Sequence, residues 1–251
     1  YEGYGGPVKV EVTTSKDRIE NVVIIEHKES KGISDHAIES LPKEIVANQS
    51  VAVDYVAGAS KSSKAIIEAT KEALKFSGVS IAAISKPVAK KAVENIILDK
   101  EAEVIVVGAG GAGLIAAIEA KNNGAQNVIV LEKMAFAGGN TLISGGEYAA
   151  PNNWVQVKKG LKDSNDTFYN DILKGGDNEG NPKLVRVLAD NALNGAEWLK
   201  DYINMTFEDR QMFFGGHSVE RSLVPLGATG VEMISKLLAK AEELNIPVLY
   251  E

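Results

Sequence analysis

The sequence predicts two folds in series, a small α+β domain and then an α/β, Rossmann-like domain. Three observations predict it. The first is the stretch from Val104 to Glu132, which runs apolar strand, G-x-G-x-x-G loop, helical pattern, second apolar strand and terminal acid. That order is the dinucleotide-binding βαβ unit, and the order is far more specific than the glycines alone. The second is an alternating run, Lys9 to Thr13, joined by a polar turn at Ser15 to Arg18 to a Val- and Ile-rich run, Ile19 to Ile25, which reads as a β-hairpin. The third is a change of composition at 79–102, with Pro87, small residues and Lys86, Lys90 and Lys91. It marks a partly helical linker between a domain at 1–78 and one at 103–251.

Taken in order, the hairpin is followed by a helix over about His36 to Asn48, broken or restarted by Pro42. Val51 to Val56 reads as a short strand, and a helix spans about Ser63 to Phe76 with Ile66, Ala69, Ala73 and Phe76 on one side. Gly78 ends it. Val104 to Val107 is expected as a buried parallel strand. Gly108 permits the tight turn after it, Gly110 lets backbone approach a pyrophosphate, and Gly113 lets the helix pack close to the strand. The helix N-terminus offers free N–H groups and the positive end of its dipole to phosphates. Glu132 lies nineteen residues past Gly113, at the end of strand Val128 to Leu131, where an acid accepts hydrogen bonds from ribose hydroxyls.

The chain then enters a second glycine loop, Gly138-Gly139-Asn140-Thr141 and Ser144-Gly145-Gly146. Two such loops near one helix N-terminus suit a large cofactor approached by backbone along its length, which favours FAD over NAD. Lys159 to Pro182 reads as polar and loop-rich. Lys183 to Tyr202 reads as an amphipathic helix with Leu184, Leu188, Trp198 and Leu199 toward the core. A loop at Phe213 to His217, a helix over Val231 to Leu244 and a strand from Ile246 to Tyr250 complete the order.

Composition narrows the function classes. The net charge of −7 argues against nucleic acid and anionic membrane surfaces as partners, and no apolar run is long enough to span a bilayer. Without cysteine there is no disulfide, thiolate metal site or cysteine nucleophile. Asp163, Asp166, Asp171, Asp177 and Glu179 match no oxygen-ligand spacing and read as a solvated acidic face, so no metal is expected. His217 and Arg221, in and beside a glycine loop, are weak catalytic candidates: an imidazole beside a flavin ring, and a guanidinium for a carboxylate, or else a surface arginine. Trp154 and Trp198 are expected in the core or beside a flavin. The first residue is Tyr1 rather than Met, so the natural start is expected to have been processed or cut away.

Two families are recognisable on these residues. Residues 1–78 resemble the FMN-binding domain that carries covalent FMN, through Tyr4-Gly5-Gly6-Pro7, His27 and Asp54 to Ser63, DYVAGASKSS. The resemblance implies FMN held by a phosphoester on Ser60. Ala57 stands where the family has Ser or Thr, and Ser60 where Thr is commoner. A phosphodiester there faces the free N–H groups of the following helix, with Lys61 and Lys64 near its charge; the plain alternative is that Ser60 to Ser63 only cap that helix.

Residues 103–251 resemble the N-terminal part of the FAD-binding domain of the fumarate reductase and urocanate reductase flavoproteins. The matching residues are Gly108 to Gly113, Glu132-Lys133, Gly139 to Thr141, Ser144 to Gly146, Gly215-Gly216-His217, Arg221-Ser222 and Pro225. Leu223 and Val224 stand where some members carry an imidazole. The resemblance implies FAD contacts at Gly108, Gly110, Gly113, Glu132, Lys133, Gly139, Asn140, Thr141, Gly145 and Gly146. It also implies that the catalytic residues, the capping domain and the C-terminal half lie beyond Glu251, so the chain alone is expected to be inactive.

The layout implies electrons passing from FMN to FAD and reduction of the C=C bond of an α,β-unsaturated carboxylate. The implied partners are a flavin transferase and an electron donor that is quinol-linked, a cytochrome or NADH-linked. Other flavoenzymes of the same fold, such as a ketosteroid dehydrogenase or amino-acid oxidase, and an FMN electron-carrier module are the rival readings. An extracytoplasmic location is expected, with a cytoplasmic one the alternative.

Overall fold

The computed structural model describes residues 1–16, 18–78, 80, 84–88 and 100–250. The chain forms two compact units, one built on residues 1–101 and the other on 102–133 and 137–249. The linker expected at 79–102 falls largely outside the described residues, as do Lys90 and Lys91.

In the first unit the hairpin forms as expected, with β1 (Lys9–Ser15) antiparallel to β2 (Arg18–Glu26) and bulges at Lys9/Val10 and Thr13/Thr14. Helix α1 (Asp35–Asn48) packs on β2, and helix α2 (Ser60–Lys75) packs on β1 and α1. Ile19, Val22, Leu41, Ile45 and Ile66 close the core between them. Three expectations are corrected. Pro42 neither breaks nor restarts α1, because its buried ring replaces the one lost N–H bond with core packing. Residues 51–56 are not a strand. Val51 and Val53 still alternate inward, but the segment has no ladder partner among the described residues, and Val51 N–H donates to the Ile84 carbonyl (2.7 Å). The second helix begins at Ser60, three residues before the expected start, and Phe76 is exposed rather than on its buried face.

The second unit holds a three-stranded parallel sheet in the order β3-β4-β8, from β3 (Val104–Val107), β4 (Val128–Leu131) and β8 (Val248–Leu249). Helix α3 (Gly111–Asn122) connects the first two strands and packs on α8 (Gly230–Glu243). Strand β4 is buried through Val128, Ile129 and Val130, but β3 is not the buried strand expected, since Val107 is 83% exposed. Among the described residues β3 is the end strand of this sheet, with Ile105 and Val107 on its open face.

The rest of the unit is a second sheet, antiparallel in the order β5-β7-β6, from β5 (Tyr148–Ala149), β6 (Phe207–Met212) and β7 (Ser222–Pro225). A short helix, α5 (Trp154–Lys159), precedes the stretch expected to be loop-rich, and one helix, α6 (Asn165–Gly175), forms inside it. Helix α6 is nucleated by Ser164, whose hydroxyl accepts from Thr167 N–H (3.0 Å), with Asp166 in the first turn. Helix α7 (Pro182–Glu197) starts on an Asn181 cap and runs into a π-turn at Trp198–Tyr202.

The inward face of α7 is Val185, Ala189, Ala192 and Ala196, with Leu199 following, while Leu184 and Leu188 point to solvent. Small residues let α7 approach α6 closely, and that contact outranks the larger apolar surface of the leucines. Ala192→Leu is therefore expected to cost about 1–3 kcal/mol by overpacking. Leu188→Gln is expected to stay within about 0.5 kcal/mol. Urea unfolding of the two variants checks the assignment.

Candidate functional site

The three fingerprint glycines answer to three different constraints. Gly108 has φ +102, open only to glycine at low cost, and its N–H donates to the Leu131 carbonyl (2.7 Å). A Cβ on Gly113 would lie 1.9 Å from the Gly108 carbonyl oxygen, so this position sets how close α3 sits to the β3 loop. Gly110 caps α3 with φ −78 and ψ 179, and a Cβ there would meet nothing nearer than 3.8 Å. Nothing in the chain itself requires glycine at 110. Open space beside the free N–H groups of the first turn of α3 is the fit a pyrophosphate needs.

The second glycine loop is joined to the first. Gly138 N–H donates to the Ala109 carbonyl (2.8 Å), and Gly110 and Gly138 form a parallel bridge. A short helix, α4 (Gly139–Ile143), follows, and Thr141 fills the space a Cβ on Gly111 would need. Gly139 (φ +51), Asn140 and Lys133 are exposed. Gly146 (φ +73) lies against Gly230, whose N–H donates to the Ser144 carbonyl (2.8 Å), so the end of the loop is tied to the start of α8. Gly145 lies against the Glu147 carboxylate. Glu132 sits at the end of β4 as expected and also accepts from Ala109 N–H (2.8 Å), bracing the turn it faces.

In the first unit, Ser60 is the first residue of α2 and is exposed, with no hydrogen bond to its hydroxyl among the described residues. The helix is capped by Ala59, which offers no side-chain bond, so the reading of these serines as simple caps does not describe them. Ser63 Oγ accepts from Val56 N–H (3.1 Å) and donates to the Ala59 carbonyl (2.9 Å), and Ser62 is buried on Glu29. The neighbouring serines are engaged and Ser60 is left facing solvent beside Lys61 and Lys64, an arrangement that fits a bulky phosphoester.

Sequence reasoning missed Glu29. Its buried carboxylate accepts from Tyr4 N–H (3.1 Å), Gly5 N–H (2.9 Å) and Ser62 Oγ. Burial pushes its pKa upward, but the hydrogen bonds from Ser62, Gly5 and Tyr4 outweigh that and hold it below the ordinary value. In the sequence, an acid in the polar run EHKES is indistinguishable from a solvated one.

His217 and Arg221 belong to a third cluster, around α5, α6 and the segment before β7. Arg221 is wholly buried. Its Nε and Nη2 donate to Asp163 (2.8 and 3.0 Å) and its Nη1 to Asp171 (2.7 Å), with the guanidinium over the Phe168 ring. This corrects two expectations. Arg221 is neither a surface residue nor free for a substrate carboxylate, and Asp163 and Asp171 are not part of a solvated acidic face. Burial opposes the charge on both carboxylates, yet bonds from Arg221 with Gln156 to one, and from Ser218 with Arg221 to the other, leave their pKa values lowered. His217 packs edge-on against Phe168 and Phe214, and its Nδ1 is enclosed without a partner among the described residues. Burial, then the nearby Arg221 charge, lowers its pKa, so it stands as neutral imidazole near pH 7. Trp154 packs on Phe207 at 5.5 Å, and Trp198 Nε1 donates to Glu119 (3.1 Å).

A parallel sheet whose first turn is a glycine fingerprint, bridged to a second glycine loop, defines a dinucleotide-binding class. Residues 103–251 match the family described as FAD binding domain, and the chain belongs to it; residues 3–75 match the FMN-binding domain. The cofactors of these domains are FAD and FMN.

Among relatives, the chain is 41% identical over 245 residues to urocanate reductase of Eggerthella lenta, covering 97% of this chain and 40% of that one. It is 36% identical over 218 residues to NADH:fumarate oxidoreductase of Klebsiella pneumoniae, covering 86% of this chain and 22% of that one. The open conformation of a flavocytochrome c3 fumarate reductase shares its fold at TM-score 0.57 and 36% identity, over 59% of this chain and 26% of that one. The chain thus spans less than half the length of these relatives.

Proposed function

We propose that this chain is the cofactor-binding part of a reductase that acts on the C=C bond of an α,β-unsaturated carboxylate, with residues 1–78 carrying FMN on Ser60 and 103–251 holding FAD. Relatives named for urocanate, fumarate and acrylate support the substrate class. The observation that carries the two-flavin arrangement is the pairing, in one chain, of an exposed Ser60 at a helix start, its hydroxyl without a partner among the described residues, with a glycine fingerprint whose Gly110 the described residues leave open.

When bound, the flavins supply the electron and hydride chemistry. The chain's own contribution is to hold them: the first turn of α3 would hold the pyrophosphate and Glu132 the ribose, and Gly139, Asn140, Thr141, Gly145 and Gly146 would offer backbone and small side chains to the rest of the FAD. Lys133 adds a cation to that side. The catalytic acid lies outside these residues, and His217 and Arg221 serve the packing of their own cluster. The location proposed is extracytoplasmic, and the partners are a flavin transferase and an electron donor.

Intact-mass measurement of full-length protein produced with a flavin transferase is expected to show one added FMN, absent from Ser60→Ala. An unchanged mass in the parent protein defeats the attachment site. Anaerobic oxidation of reduced viologen by the full-length enzyme is then expected with one of fumarate, urocanate or an arylacrylate. No oxidation with any of them favours the electron-carrier reading instead.

A further inference from the structure

The first unit fastens an exposed aromatic ring beside the proposed acceptor. Tyr4 is 71% exposed. Single surface aromatics are ordinary and need no explanation. What sets Tyr4 apart is how its backbone is held. Its own N–H and that of Gly5 both donate to the buried Glu29 carboxylate, which also accepts from Ser62 Oγ in the first turn of α2. A Cβ on Gly5 would lie 1.8 Å from the Lys28 carbonyl oxygen, so the loop approaches the end of β2 as closely as glycine allows. Gly3 N–H closes the turn on the Gly6 carbonyl (2.8 Å). One buried acid therefore ties the Tyr4 loop to the turn that begins with Ser60.

The ring itself meets that turn. Lys61 Nζ lies 5.7 Å from the Tyr4 ring centroid, near the outer limit of a cation–π contact. A phosphoester on Ser60 gives Lys61 a stronger partner and leaves the ring face open. An electron-rich phenol face suits offset stacking against a flat, electron-poor ring system.

On the reading that Ser60 carries FMN, we propose that Tyr4 is the surface on which the isoalloxazine of that FMN stacks, and that Glu29 is the positioning residue that holds it there. Tyr55, half-exposed on the acceptor loop, has no such tether among the described residues and serves as the control.

The test uses full-length protein matured with its transferase. Intact mass gives FMN occupancy, and flavin fluorescence is compared per bound FMN, with Ser60→Ala supplying the FAD background. A stacked tyrosine quenches flavin emission, so Tyr4→Leu is expected to raise it severalfold at unchanged occupancy. Tyr4→Trp is expected to keep it quenched and Tyr55→Leu to leave it unchanged. Glu29→Gln is expected to raise it in part.

Full occupancy with Tyr4→Leu emission equal to the parent overturns the stacking, as does a rise in Tyr55→Leu instead. A rise in Tyr4→Leu with none in Glu29→Gln overturns the positioning role. Absence of FMN from the parent is a failure of the attachment reading and is seen in the mass alone. Tyr4 is exposed, so its variants remain informative even where Glu29→Gln impairs folding.

Discussion

Gly113→Ala in the full-length protein is expected to lower stability by about 3 kcal/mol and to weaken FAD binding about a hundredfold, a tenfold step for each ~1.4 kcal/mol. The added Cβ would stand 1.9 Å from the Gly108 carbonyl oxygen, which is backbone and has no rotamer to turn away. Either α3 shifts outward or the Gly108 turn opens, and both move the N–H groups proposed to hold the pyrophosphate. Gly110→Ala is the informative companion. Its backbone angles suit any residue and its Cβ has open space, so the apo-protein is expected to unfold within about 0.5 kcal/mol of the parent, the ordinary range for a surface change. FAD binding is still expected to fall, because the methyl group occupies the approach that the chain leaves empty. Thermal unfolding of the apo forms and titration with FAD separate the two effects. A Gly110→Ala protein that binds FAD like the parent would remove the pyrophosphate from this turn.

The second large effect concerns the buried ion triad. Arg221→Met leaves Asp163 and Asp171 buried without their cation, and the loss is expected to be about 3–5 kcal/mol, the usual result of removing one partner of a buried pair. For a domain of this size, each kcal/mol lowers the midpoint by about 2–4 °C. Asp163→Asn is expected to act in the same direction, since it removes the two-pronged partner of the guanidinium.

The triad also sets a pH dependence. Both carboxylates have lowered folded-state pKa values, so the unfolded chain binds protons first as pH falls. Their contribution is complete above the unfolded value of about 4 and is lost as pH drops through the lower folded values. Glu29 adds to the same slope. Unfolding followed from pH 7 to pH 3 is expected to show stability declining gently below about pH 6.5, where the unfolded chain protonates His217 first, and steeply below about pH 4, that lower limb being shallower in Asp163→Asn. An acid limb identical in that variant would show that Asp163 is not held charged by Arg221.

The fingerprint was legible because its constraints are local. A turn needing positive φ, a close helix–strand approach and a ligand approach each demand glycine at a fixed spacing, so residues 108, 110 and 113 declare themselves. The hairpin was legible for the same reason, through period-two alternation and a polar turn. The Arg221 triad was not, because its partners lie 58 and 50 positions away and isolated acids look alike whether solvated or paired. Glu29 was hidden in the same way, 33 positions from Ser62. The start of α2 at Ser60 was missed because three serines offer three plausible caps, and Ala59 offers none.

Helix α7 marks the division between the two kinds of information. Its period and its Asn181-Pro182 start are written in neighbouring residues, because backbone hydrogen bonds and caps act within one turn. Which side faces inward is not, because that depends on the surface of α6 it meets. Alanines permit the close approach there, while Leu184 and Leu188 are left to water. The amino-acid order thus settled the βαβ unit, the hairpin and the turns that carry the glycine fingerprint. Distant contacts settled which charges were buried, which serine stayed exposed and which aromatic loop was tied to its helix, since desolvation and packing depend on neighbours that come together only when the chain folds.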